Sequence, residues 1–246
     1  MSVTHPARLT ALAAGAVVLG VVAALVLGGP REGDRPEAGS PALAAAPPPA
    51  SAPGAPLPGG MDARALGFRL LALADPGEVL AGMDALARAA EQGDVEAQIA
   101  LGRIYLKGLP AVPRDAARAR AWLLRAAPSR HPSAAYFLGV MSQNGEGARA
   151  DPAEAARWFE VAAKGGSPDA MFLLANAYRA GAGVPRDDGK AVELYERAGE
   201  LEHPAALQAL AMAYLYGELG LTPDEAESRR YTMEAEHAIQ HRQVPP

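Results

Sequence analysis

His237 and His241 stand four residues apart near the C-terminus. On a helix that spacing puts two imidazoles on one face, where they can share a metal ion. No Glu follows in a zincin pattern, and the sequence alone offers no third ligand. The pair is therefore expected to be two solvated histidines, with no metal and no cofactor. His131 and His203 read as loop residues. Four aspartates, Asp115, Asp151, Asp187 and Asp224, have the chemistry of general acids and bases. They recur at a fixed interval, and a fixed interval points to helix capping rather than to an active site. Gly145-Glu-Gly147 and Gly181-Ala-Gly183 lack the strand that precedes a phosphate loop. No Ser/His/Asp constellation can be assembled, so the chain reads as non-enzymatic.

The elements that would position these residues are set by composition and period. The chain has 246 residues, no Cys and a net charge of -5. Without Cys there is no disulfide framework, thiolate zinc site or lipoprotein anchor. The mildly acidic balance argues against nucleic acid as a partner. Leu9 to Pro30 carries no charge and is bracketed by Arg8 and Arg31. About 20 apolar residues at 1.5 Å rise cross a bilayer core of roughly 30 Å. The run is longer than that of a cleaved signal, and the first Ala-x-Ala sites lie well past its end. Residues 1–29 are therefore expected to be an uncleaved signal anchor spanning the membrane through 9–29. Basic residues on the two sides nearly balance. An N-terminal apolar segment usually acts as an export signal, which places the rest of the chain in the periplasm. Residues 30–60 hold nine prolines and no periodic apolar pattern. They are expected to form a disordered linker, partly polyproline II.

The remainder repeats every 36 or 37 residues. Ala97, Ala134, Ala170 and Ala206 align. Leu101, Leu138, Leu174 and Leu210 follow, then Gly102, Gly139, Ala175 and Ala211. Tyr105, Ser142, Tyr178 and Tyr214 come next, and Gly108, Gly145, Gly181 and Gly217 close the first half. The Asp column opens the second half, followed by Ala119, Ala155, Ala191 and Ser228. Trp122, Trp158, Leu194 and Tyr231 come next, with Ala126, Ala162, Ala198 and Ala235 last. Ala, Leu, a small residue and Tyr at these spacings share one helix face. Gly suits a left-handed residue after a helix. Asp suits the N-cap of a second helix, with Pro152 directly behind Asp151. Asp151 with Glu154, and Thr222 with Glu225, have capping-box spacing. Trp122, Trp158, Tyr195 and Tyr231 are expected in the core.

Ala170-Met-Phe-Leu-Leu174-Ala-Asn-Ala-Tyr178, with Gly181-Ala-Gly183-Val184-Pro-Arg-Asp187 and Lys190-Ala191 behind it, resembles the Sel1-like repeat, a relative of the tetratricopeptide repeat. The resemblance implies an all-α fold, a right-handed α-solenoid of helix-turn-helix units. Four units would cover 93–242 with a C-terminal capping helix, and 61–92 would be an eroded first unit or cap. It also implies a groove lined by first helices. In this sequence the stripe beside the packing face is Ile99, Arg103 and Leu106, then Tyr136, Val140 and Gln143. It continues with Phe172, Asn176 and Arg179, then Gln208, Met212 and Leu215. These residues either bind a protein or peptide or seal neighbouring units. The expected function is a membrane-anchored scaffold of the bacterial cell envelope. The alternatives are a protein that binds cell-wall glycan or exopolysaccharide and, from the enzyme class, a wall hydrolase.

Overall fold

The computed structural model describes residues 62–72 and 75–243. The expected membrane segment 9–29 and the linker 30–60 lie outside the described residues. Among the described residues there are ten α-helices and no strand, only a single antiparallel bridge between Leu109 and Val112. They come as pairs: α1 (Ala63–Leu71) with α2 (Pro76–Glu91), α3 (Val95–Lys107) with α4 (Ala116–Ala126), α5 (Pro132–Asn144) with α6 (Pro152–Lys164), α7 (Pro168–Ala180) with α8 (Asp188–Glu200), and α9 (Pro204–Tyr216) with α10 (Glu225–Gln243). Packing runs almost wholly between successive helices. The fold is thus an all-α repeat solenoid, in which each pair buries its apolar face against its neighbours. No helix among the described residues is long and apolar enough to cross a membrane.

The pairs close because the small column admits the partner helix. A Cβ on Gly102 would lie 2.6 Å from Leu123 Cγ, and one on Gly139 would lie 2.5 Å from the Phe159 ring. Leu123, Phe159 and Tyr195 occupy one repeat position and are buried. That position, one past the Trp122 column, carries the main contact with the first helix. Trp122, Leu194 and Tyr231 are also buried, whereas Trp158 is only half-buried and its indole N–H donates to Glu154 Oε1 at 3.2 Å.

The caps follow the Asp column. Asp115 Oδ1 accepts from the Arg118 amide at 2.9 Å, and Asp187 Oδ1 from the Lys190 amide at 3.0 Å. Asp151 Oδ1 accepts from Ala153 and Glu154, both at 2.9 Å. Neither capping box is completed: Asp151 caps the Glu154 amide, but Glu154 returns no bond to the Asp151 amide. Helix α10 starts at Glu225, and Asp224, not Thr222, caps it by accepting from Ala226 at 2.8 Å and Glu227 at 3.1 Å. The Asp151 amide instead donates to the Ser142 carbonyl at 2.8 Å, so Glu154 is released to other partners.

First helices are capped by Asp94, His131, Ser167 and His203, so the two histidines expected in loops are N-caps instead. His131 Nδ1 accepts from Ser133 at 3.3 Å and His203 Nδ1 from Ala206 at 3.2 Å. The signal was present, because both stand three residues before the Ala column. Gly145, Gly181 and Gly217 end their helices in the left-handed conformation as expected. Gly108 differs, with φ 77° and ψ 162°, because there the chain turns into the Leu109–Val112 bridge.

Candidate partner-binding face

The repeats place the stripe on α3, α5, α7 and α9, and the structure divides its residues into two groups. Some are spent on packing. Ile99 is 3% exposed and lies against Ala126 and Ala134, so it seals two units and is unavailable to a partner. Phe172 stacks on the His203 ring at 5.0 Å and leans on Tyr195 at 5.9 Å. Asn176 Oδ1 accepts the Tyr195 hydroxyl at 2.6 Å. Tyr136 meets Phe137 edge-on at 5.3 Å, and Val140 packs half-buried beside the same core.

The others face solvent. Arg103 and Gln143 are exposed on α3 and α5. The Arg103 guanidinium lies 5.7 Å from the Phe137 ring centre. Arg179 is exposed and reaches across to Glu218 of the next unit at 2.9 Å. On α9, Gln208, Met212 and Leu215 all face outward, with Met212 49% and Leu215 42% exposed. Tyr216 beside them is 64% exposed and was not singled out from the sequence. A signal existed: apart from Gln208 and two tyrosine hydroxyls, α9 has no polar side chain. A helix apolar on every side leaves apolar groups in water unless something covers them.

Two networks hold the face in place. Arg120 on α4 donates to Ser142 Oγ at 3.1 Å and to Glu154 at 2.6 Å. Ser142, which stands in the tyrosine column, is buried and takes its bond from the guanidinium of the preceding unit. In the third and fourth units, His203 Nδ1 accepts an amide, so Nε2 carries the proton and donates to Asp169 Oδ1 at 3.2 Å. Burial pushes the Tyr195 phenol up, and burial together with the Asp169 charge does the same for Tyr136. Both shifts favour the neutral phenol, and the Tyr195 hydroxyl is held as the donor to Asn176 Oδ1.

Two open cavities adjoin the face. Arg103, Ser133, Tyr136, Phe137, Ser167 and Asp169 border one of about 350 Å³. Arg179, Arg186, Asp188 and Glu218 border a more polar one of about 490 Å³. Arg186 holds Asp188 through two bonds of 2.9 Å, which keeps the Asp188 carboxyl below its usual range. The arrangement offers guanidinium groups, amides and apolar side chains along a row of helices. That is binding chemistry.

A sequence model of the Sel1 repeat matches residues 95–127, 132–167, 168–203 and 204–232. No curated protein matches. Among solved structures, c5321, a protective antigen of uropathogenic Escherichia coli with an SLR fold, is 33% identical with a TM-score of 0.67. The alignment covers 72% of this chain and 38% of that one. A Sel1 repeat protein from Oxalobacter formigenes is similar in fold, at 24% identity and TM-score 0.59, covering 68% of this chain and 64% of that one. This chain therefore spans less than two thirds of either relative.

Proposed function

Because the chain belongs to the Sel1 repeat family, whose repeats generally mediate protein–protein interaction, we propose that it is a non-enzymatic scaffold of the bacterial cell envelope. It holds a protein or peptide against the outward row of its first helices. One observation carries this reading: α9 keeps Met212, Leu215 and Tyr216 in solvent on one surface, next to Gln208. Apolar anchors flanked by an amide, with Arg179 on the neighbouring unit, are the usual ingredients of a binding hot spot. Ile99, Phe172 and Asn176 act beneath the face by fixing its shape.

The apolar run 9–29 supports a single-pass inner-membrane anchor, and residues 30–60 supply a spacer. The repeat domain then sits in the periplasm. Anchoring works by mass action: it fixes the domain near the membrane, and tethering raises its local concentration there. A reporter enzyme fused after Gly60 tests the location. Activity only outside the cytoplasm is expected, and activity only inside reverses the orientation.

A photo-crosslinking side chain at position 215, used in intact cells, tests the binding face. It should capture one protein reproducibly, and Met212→Glu should abolish that capture while the melting curve stays unchanged. Capture of wall glycan, or capture indifferent to Met212→Glu, overturns the reading.

A further inference from the structure

The fold supplies what the two C-terminal histidines lack in the sequence. His237 and His241 sit one turn apart on α10, with ring centres 4.0 Å apart. Glu202 lies in the turn between α8 and α9, where it adopts a left-handed φ of 54° and its amide bonds the Gly199 carbonyl at 2.8 Å. That turn carries its carboxylate to α10, and Glu202 Oε2 lies 3.7 Å from His241 Nδ1. One donor atom from each of the three residues lies within 4.8 Å of the other two. All three are exposed. Glu202 and His237 border an open cavity of about 390 Å³ whose other walls include Leu207 and Met233.

We propose that Glu202, His237 and His241 bind a late first-row divalent metal ion, with zinc as the reference ion. Tetrahedral zinc with bonds of 2.0–2.1 Å holds its ligand atoms about 3.3 Å apart. The Glu202–His241 pair needs a movement of a few tenths of an ångström to reach this. Rotation of exposed side chains closes the widest gap. Two imidazoles and one carboxylate suit zinc, copper or nickel, whereas magnesium and calcium prefer oxygen ligands. The site keeps a coordination position open to water. Ligands 35 and 39 positions apart in sequence (237 − 202 and 241 − 202) tie the α8–α9 turn to the last helix. Binding therefore stabilises this end of the solenoid.

Zinc titrated into the full-length chain, carrying no histidine tag, tests the site by calorimetry and thermal melting. One zinc per chain is expected, with a rise of a few degrees in melting temperature at saturation. His237→Gln and Glu202→Gln should each weaken binding by about tenfold or more. His131→Gln, which removes the imidazole 3.1 Å from Glu96, should leave it unchanged. Circular dichroism of each exposed-site variant confirms that it is folded. Absence of saturable binding at about 1 mM zinc overturns the proposal. So does binding that survives unchanged in both site variants, because the ion then sits elsewhere on the chain.

Discussion

At the scale of single residues, position in the repeat decides what a side chain can do. Leu174 is buried at the contact between two pairs, so Leu174→Ala should destabilise by about 2–5 kcal/mol in urea denaturation. Met212 faces water on the same kind of helix, and Met212→Glu should stay within about 0.5 kcal/mol of wild type. Phe172 stands between these cases. Its stacking on His203 means that Phe172→Ala reads out stability as well as binding, so it cannot test the face alone. Asp187 shows how capping sets the acid response. The Lys190 amide, donating to its carboxylate, holds the Asp187 carboxyl below the usual range. A lowered folded value means stability present above the unfolded value and lost as pH falls through the folded one. Asp187→Asn keeps an acceptor but cannot titrate, so its melting temperature should fall less steeply than that of wild type below about pH 4.

Between elements, close approach is the controlling quantity. Gly139 lets α5 press on the Phe159 ring of α6, and Gly139→Ala should cost about 1–3 kcal/mol through overpacking. Phe159→Leu added to it should recover part of that loss, and a double-mutant cycle in urea measures the coupling. Gly183 faces a harder obstacle. It has φ +75°, and a Cβ there would fall on the Pro152 carbonyl of the preceding unit. Backbone cannot rotate away as a ring can, so Gly183→Ala should not be rescued by any neighbouring side-chain change. Gly139 thus sets the approach of two helices within one unit, whereas Gly183 shows that loops carry contact between units.

For the whole molecule, a row of nearest-neighbour contacts makes stability uneven. Helix α1 spans 9 residues and leaves Phe68 46% exposed, whereas the helices from α6 to α9 are flanked on both sides. Amide hydrogen exchange should be fastest in α1 and slowest in α6 to α8. Equal protection throughout would mean one cooperative core instead of a stack.

The repeat period, the Asp caps, the Gly helix ends and the helix pairing were legible in the sequence because each depends on partners three to five residues away or on a column that recurs. Even the histidine caps were written in the spacing. What tertiary structure decided was which side of each first helix meets water. Ile99 and Met212 both belong to the stripe, yet one is sealed by Ala126 and Ala134 and the other is exposed. The Arg120–Ser142–Glu154 bond set and the meeting of Glu202 with His237 and His241 join residues 20 to 40 apart. Such distances are set by how helices stack, a balance of packing over the whole surface that no local pattern encodes.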